Sequence, residues 1–156
     1  MRVAVVTISD RASRGDYADL SGPEIERQVL ARFPDADVTR SVVPDEPDAI
    51  LAALEAGAGA DVILTTGGTG LSPRDVTPEA TRRFCDREAP GIAEALRAQS
   101  YAETPAAMLS RGYAGLRGAC LVVNFPGSLK AVRRCMEVFG PVMEHALRMI
   151  RGEGHP

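Results

Sequence analysis

Short apolar runs alternate with longer amphipathic segments along this chain. The runs are rich in β-branched residues, which predicts buried strands. Between them, apolar residues recur at three- and four-residue spacing, which predicts helices with one inward face. Strands that alternate with helices form right-handed βαβ units, so we expect an α/β fold of three layers, with a mostly parallel sheet and helices on both faces. The predicted strands cover residues 3–9, 38–43, 62–64 and 120–123.

Two short patterns predict where helices begin. Ser21 and Glu24 have the spacing of a capping box, with Ser21 as the N-cap. Thr77 followed by proline predicts a second start, with Thr77 as N-cap and a helix that runs to about Arg87. The other predictions are a loop over 10–20, a short helix and then a loop over 105–118, and a final helix that restarts at Pro141.

Length and composition favour one domain over residues 1–156, because 45% of the chain is hydrophobic and no linker or repeat interrupts it. The formal charge of -3 and a pI near 5.4 argue against nucleic acid or a membrane surface as the partner. No apolar run approaches the roughly 20 residues of a membrane span, and no signal peptide precedes the first strand. We therefore expect a cytoplasmic protein.

The cysteines and histidines of the chain limit the kinds of metal site and catalysis that we expect. Cys85, Cys120 and Cys135 are odd in number and have no C-x-x-C spacing, so we expect free thiols rather than disulfides or a zinc site. His145 and His155 both lie close to the C-terminus. Acid–base chemistry based on histidine is therefore not expected.

Polar residues follow each predicted strand. Ser9 and Asp10 follow the first, Asp45 the second, the segment 66–75 the third and the segment 124–128 the fourth. Ligands of open parallel sheets bind outside the carboxyl ends of the strands. The sequence thus predicts a binding site where these loops meet.

The segment Thr65-Thr66-Gly67-Gly68-Thr69-Gly70, called here the glycine loop, is the strongest candidate. Glycines allow backbone N–H groups to approach an anion, and the threonines add hydroxyl donors. It is not a Walker loop, and Pro73 takes the place of the last glycine of a dinucleotide motif. An ordinary tight turn is the alternative interpretation.

Asp75 and Asp45 add carboxylates beside this loop. Together with a phosphate they suggest a Mg²⁺ site for phosphoryl or nucleotidyl transfer. Each also has a plain interpretation: Asp75 as a helix cap or partner of Arg74, and Asp45 as a turn residue.

Four further features have two interpretations each. Ser21-Gly22 could take a second anion at a helix start or only cap it. Ser110-Arg111 could clamp a ligand or form an exposed loop. Lys130 could reach a phosphate or be solvated, and Glu88 could pair with a neighbouring arginine.

Taken together, these segments closely resemble the signature of molybdopterin adenylyltransferases, over nearly the whole chain and in order. The long segment from the glycine loop through Thr81 is highly specific for this family. The shorter segments are informative because they occur in the same order as in the family. The matching segments are 7–10, 21–23, 44–46, 65–70, 73–81, 86–91, 108–111 and 124–127.

The resemblance implies a molybdopterin-binding-domain-like fold and the Mg²⁺-dependent adenylylation of molybdopterin by ATP, with release of pyrophosphate. It implies that Asp75 and Asp45 are catalytic and hold the metal. It further implies a homotrimer that passes its product to a separate molybdenum-insertion protein. The implied nucleotide-binding residues are Gly67, Gly68, Thr69, Gly70, Asn124, Pro126 and Gly127. The implied molybdopterin-binding residues are Ser9, Asp10, Ser21, Gly22, Ser110 and Arg111.

Two other functions stay open at this point. MoaB-type relatives include members without a clear catalytic role, and a chain of that kind would bind or carry molybdopterin without turnover. The segment 74–78 tends to be lost in that branch and is intact here, which favours the enzyme. A related Mg²⁺-dependent enzyme with another acceptor is the third possibility.

Overall fold

In the computed structural model, which describes residues 1–153, a six-stranded sheet lies at the centre of the fold. His155 is outside the described residues. The strands are β1 (Arg2–Ile8), β2 (Asp37–Val43), β3 (Val62–Thr66), β4 (Arg87–Glu88), β5 (Ala114–Arg117) and β6 (Cys120–Phe125). The helices are α1 (Asp10–Ser13), α2 (Ser21–Arg32), α3 (Pro47–Ala56), α4 (Thr77–Phe84), α5 (Pro90–Tyr101) and α6 (Leu129–Ile150), with a 3₁₀ helix over Pro105–Leu109.

The strand order is β2-β1-β3-β6-β5-β4. The first four strands in this order are parallel, which confirms the mostly parallel α/β prediction. The last two are antiparallel to their neighbours. The prediction of a helix to about Arg87 is wrong, because the backbone turns extended at Cys85 and Arg87 pairs with Leu116 in the sheet.

Apolar side chains alternate between the two faces of the sheet, as the pleat of a strand requires. Val3 and Val5 pack on one face with α2, α5 and α6. Ala4 and Val6 pack on the other face with α3 and α4. Both clusters are closed to solvent, so the three predicted layers are present.

The capping box at Ser21 is wrong. Asp19 caps α2 instead, since its Oδ1 accepts from the backbone N–H of Ser21 at 3.1 Å and of Gly22 at 3.0 Å. Glu24 is buried and pairs with Arg27 rather than reaching back to the helix start.

Thr77 also differs from its prediction as an N-cap. It is the first residue of α4, and Val76 occupies the N-cap position. The Thr77 hydroxyl instead donates to the carbonyl oxygen of Gly67 at 2.9 Å, which connects this helix to the glycine loop.

Two other segments are more helical than the pattern predicts. The loop over 10–20 begins with α1, which Ser9 caps by accepting from the N–H of Ala12. α6 continues through Pro141 without a restart, because its buried face extends on both sides, through Phe139 and Met143.

The three cysteines are free, as predicted. Burial raises the pKa of Cys85 to about 12, of Cys120 to about 11 and of Cys135 to about 12, so the thiols stay protonated near neutral pH.

Among residues 1–153, no helix has the length and apolar character needed to cross a membrane.

Candidate active site

The register of the parallel strands aligns the loops at one edge of the sheet. Thr7 of β1 lies opposite Thr66 of β3, and Thr66 lies opposite Phe125 of β6. The glycine loop therefore begins between the segments that follow β1 and β6. The N–H of Gly67 donates to the carbonyl of Phe125 at 3.1 Å, which joins the two central loops directly.

Two positive φ angles give the glycine loop its shape. Gly67 has φ 101° and Gly68 has φ 64°, conformations that side chains disfavour. A Cβ on Gly67 would lie 2.2 Å from the carbonyl oxygen of Ile8, so the loop also packs directly against the end of β1. Only glycine fits at this position.

The backbone N–H groups of residues 68–70 have no backbone acceptor within residues 1–153. The carbonyl oxygens of Gly67 and Gly68, by contrast, are bonded by the hydroxyl and N–H of Thr77. Consecutive N–H groups left free in a glycine turn form a concave anion-binding nest. The loop thus has the donors that a phosphate needs.

Two carboxylates flank the loop. The Asp45 Oδ1 lies 3.1 Å from where a Cβ on Gly68 would be, and the Asp75 Oδ2 lies 2.9 Å from the same point on Gly70. Asp75 Oδ2 also accepts from the N–H of Ser72 at 2.9 Å.

Burial raises the pKa of Asp45 above its ordinary value, and the charges of Asp10 and Asp75 raise it further. The hydrogen bond from Arg74 holds the pKa of Asp10 below its ordinary value. Arg74 also pairs with Glu46 at 2.8 Å, so it does not pair with Asp75 as one sequence interpretation suggested. Of the two neighbouring carboxylates Asp10 and Asp45, only Asp10 is paired with an arginine.

A cleft of about 480 Å³ opens beside the glycine loop. Its walls are the loop, α5, the 3₁₀ helix and the first turns of α6. Ala93, Leu96 and Leu109 make one side apolar, while Lys130 and Arg134 contribute cations. The volume is in the range of pockets for cofactors and nucleotides.

The predicted site residues divide into two groups. One group lines the cleft: Gly67, Gly68, Thr69, Gly70, Asp75, Ser110, Asn124, Pro126 and Gly127. The other surrounds the loop without being among the cleft-lining residues: Ser9, Asp10, Ser21, Gly22, Asp45 and Arg111.

Asn124 is 3% exposed, and its side chain is fully engaged by protein. Its Nδ2 donates to the hydroxyls of Thr65 at 2.9 Å and Thr81 at 3.0 Å, and its Oδ1 accepts from the N–H of Tyr113 at 3.1 Å. The side chain therefore joins β3, α4 and the segment before β5.

Ser21 supports the loop after β6, whereas Gly22 packs closely against Asp19 and the end of β1. The Ser21 hydroxyl donates to the carbonyl of Gly127 at 2.8 Å. A Cβ on Gly22 would lie within 2.6 Å of both Asp19 Oδ2 and Thr7 Oγ1, which bond to each other at 2.8 Å. Sequence reasoning missed Asp19, although an aspartate two residues before Ser21-Gly22-Pro23 is a possible capping signal.

Two residues left open by the sequence have partners. Glu88 lies 3.4 Å from Arg82, which confirms its pairing with a neighbouring arginine. Lys130 is largely exposed at the cleft and lies 3.7 Å from Glu103. Glu103 also pairs with Arg134 at 3.1 Å, a cluster that the sequence pattern did not indicate.

A family model described as "Probable molybdopterin binding domain" matches residues 4–145. The molybdopterin adenylyltransferase of Helicobacter pylori strain J99 is 38% identical, over 97% of this chain and 89% of that protein. The Drosophila melanogaster molybdenum cofactor synthesis protein cinnamon is 40% identical over 94% of this chain, which spans only 25% of it.

Solved structures of proteins with similar sequences have the same fold. The molybdopterin biosynthesis enzyme MoaB of Thermus thermophilus is 48% identical with a TM-score of 0.89, over 97% of this chain and 96% of that one. The tungsten cofactor synthesizing protein MoaB of Pyrococcus furiosus is 35% identical with a TM-score of 0.87, over 96% of both chains. On the strength of the family match and these near full-length relatives, the chain belongs to the molybdopterin-binding domain family.

Proposed function

We propose that this protein is a molybdopterin adenylyltransferase, which joins the AMP moiety of ATP to molybdopterin and releases pyrophosphate. In this reaction a phosphate oxygen of molybdopterin bonds to the α-phosphorus of ATP, and the bond from that phosphorus to the pyrophosphate oxygen breaks. One observation carries the proposal: two carboxylates flank a loop with free N–H groups at the mouth of a nucleotide-sized cleft.

The chain's own groups have distinct parts in this proposal. The N–H groups of residues 68–70 bind the phosphates of ATP, and their fixed direction orients the α-phosphate. The apolar side of the cleft, with Ala93 and Leu96, accommodates a ring system. Lys130 lies at the opening, where its charge attracts the phosphates.

Asp45 and Asp75 fit Mg²⁺ as its protein ligands. Mg²⁺ prefers carboxylate oxygens and takes few of them when substrate phosphates complete its shell. No group of three or more metal-binding side chains occurs in the described part of the chain, so in this proposal substrate phosphates and water supply the remaining ligands. Mg²⁺, when bound, neutralises phosphate charge. Burial is the main cause of the raised pKa of Asp45, and the repulsion from Asp10 and Asp75 that adds to it is relieved when a cation binds.

Purified protein incubated with ATP, Mg²⁺ and molybdopterin should release pyrophosphate and form adenylylated molybdopterin. Asp75→Asn and Asp45→Asn should each abolish most of this release. Asp35→Asn is the matched control, since Asp35 is exposed in the turn between α2 and β2, at the opposite end of the strands. Full activity of Asp75→Asn would remove that residue from the catalytic role.

The alternatives give different results in the same assay. Tight molybdopterin binding without any ATP-dependent pyrophosphate would identify a non-catalytic carrier. ATP binding without affinity for molybdopterin would identify an enzyme with another acceptor.

We further propose a homotrimer that delivers its product to a molybdenum-insertion protein. The trimer rests on the resemblance of the sequence to molybdopterin adenylyltransferases. For the delivery, support comes from a Chlorobaculum tepidum molybdenum cofactor biosynthesis bifunctional protein, which is 38% identical and of which this chain spans 50%. Light scattering of the purified chain measures the assembly, and a monomer would overturn the trimer.

A further inference from the structure

Arg111 directs its polar groups into the segment that carries the glycine loop and Asp75. Its backbone N–H donates to the carbonyl of Thr69 at 2.8 Å. Its Nε donates to the carbonyl of Gly70, also at 2.8 Å. Backbone and side chain therefore hold two consecutive residues of the loop.

The two terminal nitrogens of the same guanidinium have other partners. Nη2 donates to the carbonyl oxygen of Asp75, and Nη1 pairs with the carboxylate of Glu79 in the first turn of α4. The Asp75 carboxylate is not used in these bonds. One planar group thus spans the segment from Gly70 to Asp75 and fastens it to a helix.

This fastening matters because Thr69 and Gly70, unlike Gly67 and Gly68, have no other hydrogen-bond partner within residues 1–153. Gly67, Gly68 and Gly70 provide no side chains that would restrict the backbone, and glycine has the largest conformational freedom. Leu71 is 65% exposed, so it does not anchor the segment in the core. Arg111 therefore fixes the part of the segment that follows Gly68, through its bonds to Thr69, Gly70 and Asp75.

We infer that Arg111 is a positioning residue, which sets the distance between the Asp75 carboxylate and the free N–H groups of the glycine loop, and that it is not a ligand of the substrate. The inference rests on the proposed adenylyl transfer for its kinetic consequence. It departs from the sequence expectation, which placed Arg111 against molybdopterin. All three nitrogens of its guanidinium already have protein acceptors, on Gly70, Asp75 and Glu79.

Arg111→Met removes the guanidinium and keeps the aliphatic stem. Since the substrate keeps its contacts, the Kd for molybdopterin should stay within about threefold, while kcat falls roughly 10- to 100-fold. The Mg²⁺ concentration for half-maximal rate should rise, because Asp75 is displaced. Arg87→Met is the matched control, as Arg87 is exposed in β4 and its Nε lies 3.9 Å from Asp86.

Other roles of Arg111 would give other results. A direct clamp on molybdopterin predicts a raised Kd with kcat at saturation and Mg²⁺ dependence unchanged, which would overturn the inference. A purely structural role predicts a lower Tm and a rate that follows the folded fraction, again without a shift in Mg²⁺ dependence. That result would also overturn it.

Arg111→Lys separates position from charge. Lysine keeps the charge but cannot span Gly70, Asp75 and Glu79 together. If Arg111 acts by positioning, the kcat of Arg111→Lys should be close to that of Arg111→Met. Recovery of most of the wild-type kcat in Arg111→Lys would show that charge alone is needed and would overturn the inference.

Hydrogen–deuterium exchange provides a readout that needs no activity. In Arg111→Met the hydrogen-bonded amides of Ser72 and Asp75 should exchange faster than in wild type, while those of β3 and β6 stay unchanged. Unchanged exchange at Ser72 and Asp75 would overturn the inference. If the wild type releases no pyrophosphate, the proposed function fails, whereas this exchange comparison still decides whether Arg111 holds the loop.

Discussion

Asp10 and Asp45 exchange a reciprocal pair of hydrogen bonds, although 35 residues separate them. The N–H of Asp10 donates to the Asp45 carboxylate at 2.8 Å, and the N–H of Asp45 donates to the Asp10 carboxylate at 3.0 Å. Two acidic side chains are thus held together at the ends of β1 and β2. Arg74 offsets the charge of Asp10, whereas no cationic side chain among residues 1–153 forms an ion pair with Asp45.

Asp45→Asn should lower activity and raise stability. The folded-state pKa of Asp45 lies above its ordinary value of 3.8, so its contribution to stability is present at low pH and is lost as pH rises through the folded pKa. The amide removes this loss and can still accept from Asp10. At pH 7 without Mg²⁺, the free energy of unfolding should rise by up to about 1 kcal/mol in urea titrations.

An Asp45→Asn protein less stable than wild type at pH 7 would contradict this expectation. Repeating the titration near pH 3.5 is the internal control, because the difference should shrink there.

Gly67→Ala should destabilise the fold and abolish activity. Its φ of 101° and the 2.2 Å approach of a Cβ to the Ile8 carbonyl oppose any side chain. We expect a loss of at least about 2 kcal/mol in chemical denaturation. Gly91→Ala in α5 is the control, since a Cβ there meets nothing within 4 Å. That variant should be neutral or gain up to about 1 kcal/mol. Equal stability of the two variants would refute the steric argument.

The main effect of Asn124→Ala should be a loss of stability, and a loss of nucleotide affinity should be secondary. It leaves the buried N–H of Tyr113 without its acceptor and the hydroxyls of Thr65 and Thr81 without their donor. A loss of about 2–4 kcal/mol is expected in denaturant unfolding. Unchanged stability with a raised KM for ATP would instead favour the nucleotide contact that the sequence resemblance implied.

Glu24 should stabilise the fold except in acid. The hydrogen bond from Arg27, with those from Gln28 and Arg133, lowers its pKa from 4.5 to about 2. The contribution of a depressed carboxyl is present above pH 4.5 and is lost as pH falls towards 2.

Glu24→Gln should therefore lose about 1–3 kcal/mol at pH 7 and approach wild type as pH falls towards 2, measured by thermal or urea unfolding. Glu144→Gln is the control, because Glu144 is exposed on α6. A difference between wild type and Glu24→Gln that does not change between pH 7 and pH 2.5 would exclude the ionic origin.

Sequence periodicity predicts the parallel strands and the edge where the loops meet, because both follow from local patterns of side chains. It does not predict β5. Gly115 weakens the strand pattern, and the strand is stabilised by pairing with β6 and by the close approach of Gly115 to the carbonyl of Arg87. The pattern of residues within and next to β5 carries no information about these distant partners.

The same limit applies to the arginines of the site. Arg74 bonds to Asp10, 64 residues away, and Arg111 bonds to Asp75, 36 residues away. Many arginines and carboxylates in the chain could pair, and only the fold selects among them. Sequence resemblance places Arg111 near the ligand, whereas its bonds turn it towards the protein.

The strand order has a consequence for how the chain acquires its site. β6 is the last strand in the sequence, yet it lies in the middle of the sheet, and β5 and β4 join the sheet only through it. During synthesis, β3 therefore has an open edge until residue 125 has left the ribosome, and the glycine loop lacks its bond to Phe125 until then. Pairing between strands that are far apart in the sequence is slow to form. A nascent chain that stalls or is truncated before β6 therefore exposes the unpaired edge of β3, which is prone to aggregation.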